Sequence, residues 1–480
     1  MKLINTIFTL FLFMGTSCTD DDNPVTPQTE QSTLSVDKTS ISADAQGEDV
    51  TIAIESNAVW VVSSSNTDIV ISNISQSKGN ANIILSISKN MTTLERSATI
   101  KVSVADGTLE AINIEITQAA ATAETDYLAP DQTGMRDITS LELSQDMGLG
   151  WNLGNTLESY PGGETSWGNP TATQALINLI KASGFKTVRI PVAWSNHLVS
   201  EAPDYKILEA WMSRVKDVVD YAISSDMYAI INIHWDGGWA DSLFYSKKEE
   251  IEAKQAAIWK QIAKYFRDYD DHLLFAGGNE PHVDYNTPSQ EYLDVANAMN
   301  QVFVNTVRAT GGRNYYRHLI SQGYNTNITH TLNGFVLPTD KSDIHNRQMV
   351  EVHFYDPYDF ALNEKSSVIT WDADTWGQED WVDEAYGKMK AKFVDNGVAV
   401  LMGEYGAIYR SNLTGTELEA HRTSLNHYLT YVTKAALKNN IVPIYWDNGA
   451  KSANGFALFD RNTNTVFNQE SLDAIINASK

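Results

Sequence analysis

Apolar and polar residues alternate with period two along residues 34–119, and from about Asp137 the rhythm lengthens and becomes mixed. In the first stretch, DVTIAIES (49–56), NANIILSIS (80–88), SATIKVSVA (97–105) and AINIEITQ (111–118) place Thr, Ile and Val where a half-buried strand wants them. Gly47, Gly79 and Gly107 fall in turn-like neighbourhoods between such runs. Several short strands at this spacing, without a helical stretch, predict a small immunoglobulin-like β-sandwich over residues 33–119. Trp60 lies in one alternating apolar run (NAVWVV) and is expected in the core, although a sugar-stacking platform is the other reading.

From Asp137 onward, short apolar runs alternate with long amphipathic ones. The strand candidates are GLGWNLGN (148–155), TVRIPVA (187–193), YAIINIH (228–234), LLFAGGNE (273–280), RHLISQGY (317–324), MVEVHFY (349–355), AVLMGEYG (399–406) and VPIYWDNG (442–449). Helical periodicity is clear over 173–184, 207–226, 249–269, 291–312 and 471–479. The link after 317–324 is less regular and need not form a full helix. Eight strand–helix units over residues 136–480 predict an α/β fold of the (β/α)8 TIM-barrel type. A doubly wound open sheet competes, but GWNLGN at 150–155 is not the glycine-rich loop such a fold uses to hold a dinucleotide.

Polar and aromatic residues cluster where these strands end: Arg189, His234, Asn279, Glu280, His353, Tyr355, Glu404 and Trp446. In a barrel those ends converge on one face, where active sites form. One glutamate after a strand is usually a helix cap or a solvated rim group. Two facing each other suit glycosidic cleavage, which needs an acid to protonate the leaving oxygen and a second carboxylate to attack the sugar or activate water. With Glu280 and Glu404 on the fourth and seventh strands, the carboxyls are expected about 5 Å apart, the separation of a retaining mechanism. One of the two must hold its proton and the other stay ionised, and Arg189 and Tyr355 would keep the second charged.

Composition narrows the partners. At 480 residues the chain is long enough for two or three domains, and its 42% apolar content supports a large core. The formal net charge of -25 disfavours nucleic acid and anionic lipid surfaces as partners. A neutral substrate fits, and solubility alone also accounts for the charge. The twelve tryptophans offer ring faces for sugars, although most such residues pack. No HExxH, cysteine cluster, EF-hand pattern or GxSxG elbow occurs, so neither a metal, a cofactor nor a serine nucleophile is expected. The lone cysteine, Cys18, ends MKLINTIFTLFLFMGTSC. Lys2, the short apolar run and the small residues before Cys18 resemble a bacterial lipoprotein signal (1–18), which implies lipid attachment at Cys18. A polar tether follows at 19–32, and residues 120–135 read as a linker. The acidic TDDD after Cys18 resembles a surface-export signal, so the expected location is the bacterial outer membrane, lipid-anchored and exposed at the cell surface.

Two family resemblances sharpen these expectations. Residues 33–119 resemble the BACON domain, carried by the strands around Trp60 and the closing IEITQAA. The barrel resembles glycoside hydrolase family 5. Asn279-Glu280-Pro281 is similar to its NEP motif and Met402–Gly406 to its nucleophile strand. The resemblance implies that Glu280 is the acid/base and Glu404 the nucleophile. It further implies that Arg189 lies beside the nucleophile, that His234 and Asn279 contact the sugar, that His353 and Tyr355 flank the carboxylates, and that Trp446 stacks on the substrate. GWNLGNTLES and ETSWGNP resemble the endoglucanase and xyloglucanase branch, in which Asn155 and Trp167 lie in or near the cleft. A turn-forming role for Asn155 is equally open. The chain departs from the family at His234-Trp235, where a paired HH is usual, and at Pro281-His282, where the fourth strand often ends in PR. Trp235, Trp239, Trp371 and Trp376 lie in or near loops that would build distant sugar platforms or pack. The implied function is a monomeric endo-β-1,4-glucanase acting on plant-type β-glucan: cellulose-type, mixed-linkage or xyloglucan. The alternatives are a β-mannanase and a non-catalytic glycan-binding lipoprotein.

Overall fold

A computed structural model describes residues 31–90, 94–120, 127–341, 344, 346–372 and 376–480. Cys18 and the signal segment lie outside the described residues, as does most of the tether. The chain forms two compact units that divide near residue 125.

The first unit is a β-sandwich of two sheets. One has the order β1 (Leu34–Val36), β3 (Glu48–Ser56), β7 (Ala81–Ile87), β5 (Val70–Ser72). The other has the order β2 (Ser40–Ala43), β9 (Ile112–Gln118), β8 (Arg96–Val104), β4 (Val59–Ser64), β6 (Gln76–Lys78). The period-two pattern explains the packing: Ile52 and Ile54, Ile83 and Leu85, Ile100 and Val102, and Ile114 and Ile116 all turn into one core. Trp60 is fully buried among them, and its indole N–H donates to the Gly79 carbonyl at 2.8 Å. It is a core residue rather than a sugar platform. Gly47 is required twice over, by its left-handed φ of 76° and because a Cβ would stand 2.3 Å from the Ile87 carbonyl oxygen.

The second unit is a closed barrel of eight parallel strands: β10 (Gly150–Leu153), β11 (Thr187–Ile190), β12 (Tyr228–Asn232), β13 (Leu273–Ala276), β14 (Leu319–Gln322), β15 (Gln348–Phe354), β16 (Ala399–Tyr405) and β17 (Ile441–Asp447). β17 pairs back onto β10. All eight coincide with the sequence-predicted runs. Around them lie α2 (Gln174–Ala182), α3 (Glu209–Ser224), α4 (Lys248–Tyr265), α5 (Gln290–Ala309), α6 (Ile328–Gly334), α7 (Tyr358–Ala361), α8 (Glu379–Lys392), α9 (Gly415–Lys438) and α10 (Gln469–Asn477). The irregular link after β14 is the short α6.

Two apolar layers hold the barrel. Inside it, Ile230, Leu274, Ile320, Met349, Leu401 and Ile444 pack together, and α1 (Ser140–Met147) adds Leu143 and Met147 to the same cluster. A capping box between Thr139 and Glu142 fixes the start of α1. Outside the strands, the apolar stripes of α2, α3, α4 and α9 bury against β-branched residues of the sheet. The later part of the predicted linker belongs with this unit, since Leu128 and Asp131 bond to the backbone of residues 310 and 312.

Candidate active site

The strands place their chemistry by alternation. Glu351, His353 and Tyr355 are spaced by two on β15 and its extension, so all three face the barrel axis. On β16 the same rule would aim Glu404 outward, because Leu401 faces the interior and Met402 accepts a bond from Tyr386 of α8. A bulge corrects this. Val352 pairs with Met402 and His353 with Glu404, which leaves Gly403 as the extra residue. Glu404 then turns inward while Tyr405 points back out to Thr433 of α9.

Arg189, fully buried at the end of β11, organises the centre. Its Nη1 donates to Glu404 at 3.1 Å and to Asn152 at 3.0 Å, and its Nη2 donates to the Asn279 side-chain oxygen at 2.7 Å. Its Nε forms an ion pair with Glu351 at 3.0 Å. The Tyr355 hydroxyl donates to the second oxygen of Glu404 at 2.9 Å. His353 Nδ1 lies 2.6 Å from Glu280 and 3.6 Å from Glu404. A carboxylate oxygen from each of Glu280 and Glu404 and a ring nitrogen of His353 lie within 4.8 Å of one another. Three such donors would fit around a small cation by distance, but the same atoms already bond to each other, Arg189 and Tyr355.

His234 and Trp446 stand parallel, with ring planes 6° apart and centroids at 5.8 Å. Burial and the nearby Arg189 hold the His234 imidazole well below its ordinary value, so it is neutral. Trp446 lies tight against Gly154, where a Cβ would come within 2.9 Å of its ring. Beside Glu280, a cavity of about 250 Å³ is lined by His234, Trp235, Asp241, Asn279, His282 and Tyr285, among others. Its floor reaches the buried Gln255 and Met299. The two positions where the sequence departs from the family meet here. Trp235 donates to Asp241 at 3.1 Å, and Asp241 lies 3.7 Å from His282.

The remaining candidates lie on the segments that follow the strands. Asn155 takes a left-handed φ of 55°, and its backbone bonds Glu158 and Asn169, so it serves as the turn after β10. Trp167 stands nearly half exposed on the loop before α2, and Trp376 is exposed with Trp381 tilted beside it. Trp371 is buried against Tyr428 and His427. Trp235 and Trp239 both line the cavity. Sequence reasoning missed Asn152, Gln322, Glu351 and Thr326, whose hydroxyl donates to Glu280 at 3.4 Å. Glu351 had left a trace, an acid in the apolar run MVEVHFY two positions before His353.

The electrostatics also differ from expectation. Burial pushes Glu280 up, but the adjacent His353 more than offsets it, and the carboxyl lies below its usual range. Burial and the neighbouring Glu280 charge outweigh His353 and Arg189 at Glu404, which lies above it. Burial opposes charge on His353, yet Glu404 and Glu280 hold it charged up to about 9. These directions are the reverse of the sequence expectation, in which Glu280 holds its proton and Glu404 is ionised. Glu280 is the more open of the two, with its side chain 35% exposed against 7% for Glu404.

The family profile for cellulases (glycosyl hydrolase family 5) matches residues 152–452. The chain is 43% identical over 454 residues to a xyloglucan-specific endo-β-1,4-glucanase of Bacteroides ovatus, covering 90% of this chain and 88% of that protein. It is 41% identical over 368 residues to endoglucanase A of Paenibacillus barcinonensis, covering 71% and 90%. Among solved structures, the Bacteroides ovatus GH5 xyloglucanase in complex with a XXXG heptasaccharide superposes with a TM-score of 0.71 at 41% identity, covering 93% and 99%.

Proposed function

The chain belongs to glycosyl hydrolase family 5, and within that family of glycoside hydrolases we propose that it is a retaining endo-β-1,4-glucanase whose preferred substrate is xyloglucan. The observation that carries the mechanism is the closeness of Glu280 and Glu404, of which one carboxylate oxygen each lies within 4.8 Å of the other. Retaining enzymes hold the two carboxyls about 5–5.5 Å apart, whereas inverting ones need about 6.5–9.5 Å to admit a water. The substrate preference is supported by likeness to a xyloglucan-specific relative along both units of the chain.

In the proposed reaction Glu280 gives its proton to the glycosidic oxygen as that bond breaks. Glu404 attacks the anomeric carbon and forms a glycosyl ester. Glu280, now ionised, takes a proton from water, and the water oxygen displaces Glu404. The sugar regains its β configuration and Glu280 its proton. Arg189 and Tyr355 fix both oxygens of Glu404 for in-line attack. Asn279 is held by Arg189 with its amide free to meet a sugar hydroxyl, and Trp446 offers its face to the ring. We also assign lipid attachment at Cys18, with the sandwich as a spacer between membrane and barrel.

Proton NMR of fresh digests tests the stereochemistry, with β-anomer the first product. Glu280→Gln and Glu404→Gln each reduce hydrolysis by about 10²-fold or more. Wild-type rates in both would remove the assignment. A panel of xyloglucan, mixed-linkage glucan, carboxymethylcellulose and mannan is expected to give the highest kcat/KM on xyloglucan, and a preference for mannan would overturn the substrate reading. Palmitate labelling should be lost in Cys18→Ser.

A further inference from the structure

We propose that Glu351, a third carboxylate buried beneath the catalytic pair, is a positioning residue. It grips the inner edges of His353 and Arg189, so that each presents its outer edge to Glu280 or Glu404. The inference rests on the reading that Glu280 and Glu404 carry the reaction.

Glu351 is completely buried on β15. One oxygen lies 3.0 Å from Arg189 Nε and 3.3 Å from His353 Nε2. The other accepts from Gln322 Nε2 at 2.6 Å. The outer nitrogens of the same two cations reach the reacting carboxylates, Arg189 Nη1 at Glu404 and His353 Nδ1 at Glu280. A third line runs through Gln322, whose side-chain oxygen accepts from the Gly278 N–H at 2.8 Å, two residues before Glu280. One carboxylate thus braces both catalytic strands and the backbone that carries the acid.

The bulge on β16 is shaped around it. A Cβ on Gly403 would stand 1.8 Å from a Glu351 oxygen. Gly403 is not among the glycines with positive φ, so what this position needs is room rather than left-handed freedom. A buried carboxylate is strongly unfavourable unless paired and hydrogen-bonded, and Glu351 is both. Its charge also bears on His353, which is faced by Glu280 after β13, Glu351 on its own strand, Glu404 on β16, Arg189 on β11 and His234 after β12. Removing one anion from this set makes the imidazolium easier to deprotonate, so activity that needs charged His353 is lost at lower pH.

The test is Glu351→Gln, which keeps the shape and removes the charge. The expected result is a kcat lower by about ten- to a hundredfold, KM close to wild type, and a basic limb of the pH profile moved down by about one unit. Glu351→Asp retains the charge one methylene away. It should lose kcat while its basic limb stays near wild type. Wild-type kcat with an unmoved basic limb in Glu351→Gln overturns the proposal. If that variant does not fold, wild-type kcat in Glu351→Asp overturns it instead. Inactive Glu280→Gln and Glu404→Gln beside a fully active Glu351→Gln refute the Glu351 role alone, whereas active Glu280→Gln or Glu404→Gln refute the underlying reading.

Discussion

Tyr355→Phe removes one oxygen from a site that is otherwise left in place. The ring sits edge-on to Phe456 at 6.2 Å, so phenylalanine fills the same space. What is lost is the 2.9 Å bond to Glu404, one of two hydrogen bonds holding that carboxylate, the other coming from Arg189. A hydrogen bond to a charged group contributes about 1.5–3 kcal/mol. The Tyr355 donor favours ionised Glu404, so its removal raises a carboxyl that burial has already pushed up. At about 1.36 kcal/mol per pH unit, the acid limb should move up by about one to two units. A nucleophile must be ionised to attack, so the loss of activity is largest on the acid side. The assay is kcat/KM on an aryl β-cellobioside across the pH range in which the variant stays folded, because that ratio reports ionisations of the free enzyme. An acid limb that stays in place or moves down would refute the reasoning, even if kcat fell.

Three further outcomes are expected. Arg189→Lys replaces a planar fork that reaches Asn152, Glu404, Asn279 and Glu351 by a point charge, and kcat/KM should fall about tenfold or more, since at least one charge-assisted bond of about 1.5–3 kcal/mol has no substitute. A kinetically silent variant would deny Arg189 its organising role. Trp60→Ala empties a fully buried site and should destabilise the sandwich by about 3–5 kcal/mol in chemical denaturation, with hydrolysis of soluble glucan unchanged. An unmoved sandwich transition would show that the core does not depend on it. Glu158 is buried and pushed up from 4.5 to about 7, so the folded state keeps a proton that the unfolded chain releases. Wild-type stability from this group is present below pH 4.5 and lost as pH rises to about 7. The stability of Glu158→Gln relative to wild type should therefore grow through that window by on the order of 3 kcal/mol, read by melting below and above it. A difference independent of pH would rule this out.

Much of the barrel was legible because strand runs rich in Val and Ile ended in residues that an apolar core does not want. Arg189, His234, Asn279, Glu280, His353, Tyr355, Glu404 and Trp446 all sit at such ends, and the closed sheet brings them together. Glu351 and Asn152 were not legible in the same way. They lie within strands, and only the closed barrel shows that their neighbours are Arg189 and His353 rather than helix side chains. The Gly403 bulge was hidden for a related reason. Its sequence reads as an ordinary strand, and alternation alone would turn Glu404 away from the site. Trp371 and Trp376 show the limit for aromatic residues. Five positions apart in one polar segment, one is buried against Tyr428 and the other exposed.

Glu280 lies below its usual range and Glu404 above it, the opposite of what the first chemical step uses. With Arg189 and His353 charged and Glu351 ionised, the surroundings of the pair carry one positive charge. One ionised carboxylate in the Glu280–Glu404 pair then makes the buried centre neutral, whichever residue holds the proton. Before cleavage the charge belongs on Glu404. After it, Glu404 is an uncharged ester and the charge has passed to Glu280. His353 faces both carboxylates, 2.6 Å from Glu280 and 3.6 Å from Glu404, so its charge favours the ionised form of either. The lowering of Glu280 and the raising of Glu404 run in the direction of the glycosyl-enzyme, in which Glu280 is ionised and Glu404 uncharged. The site favours the state in which Glu280 serves as base. In the first step the Glu280 proton goes to the leaving oxygen while the Glu404 charge is consumed in the ester, so the net charge of the buried centre does not change.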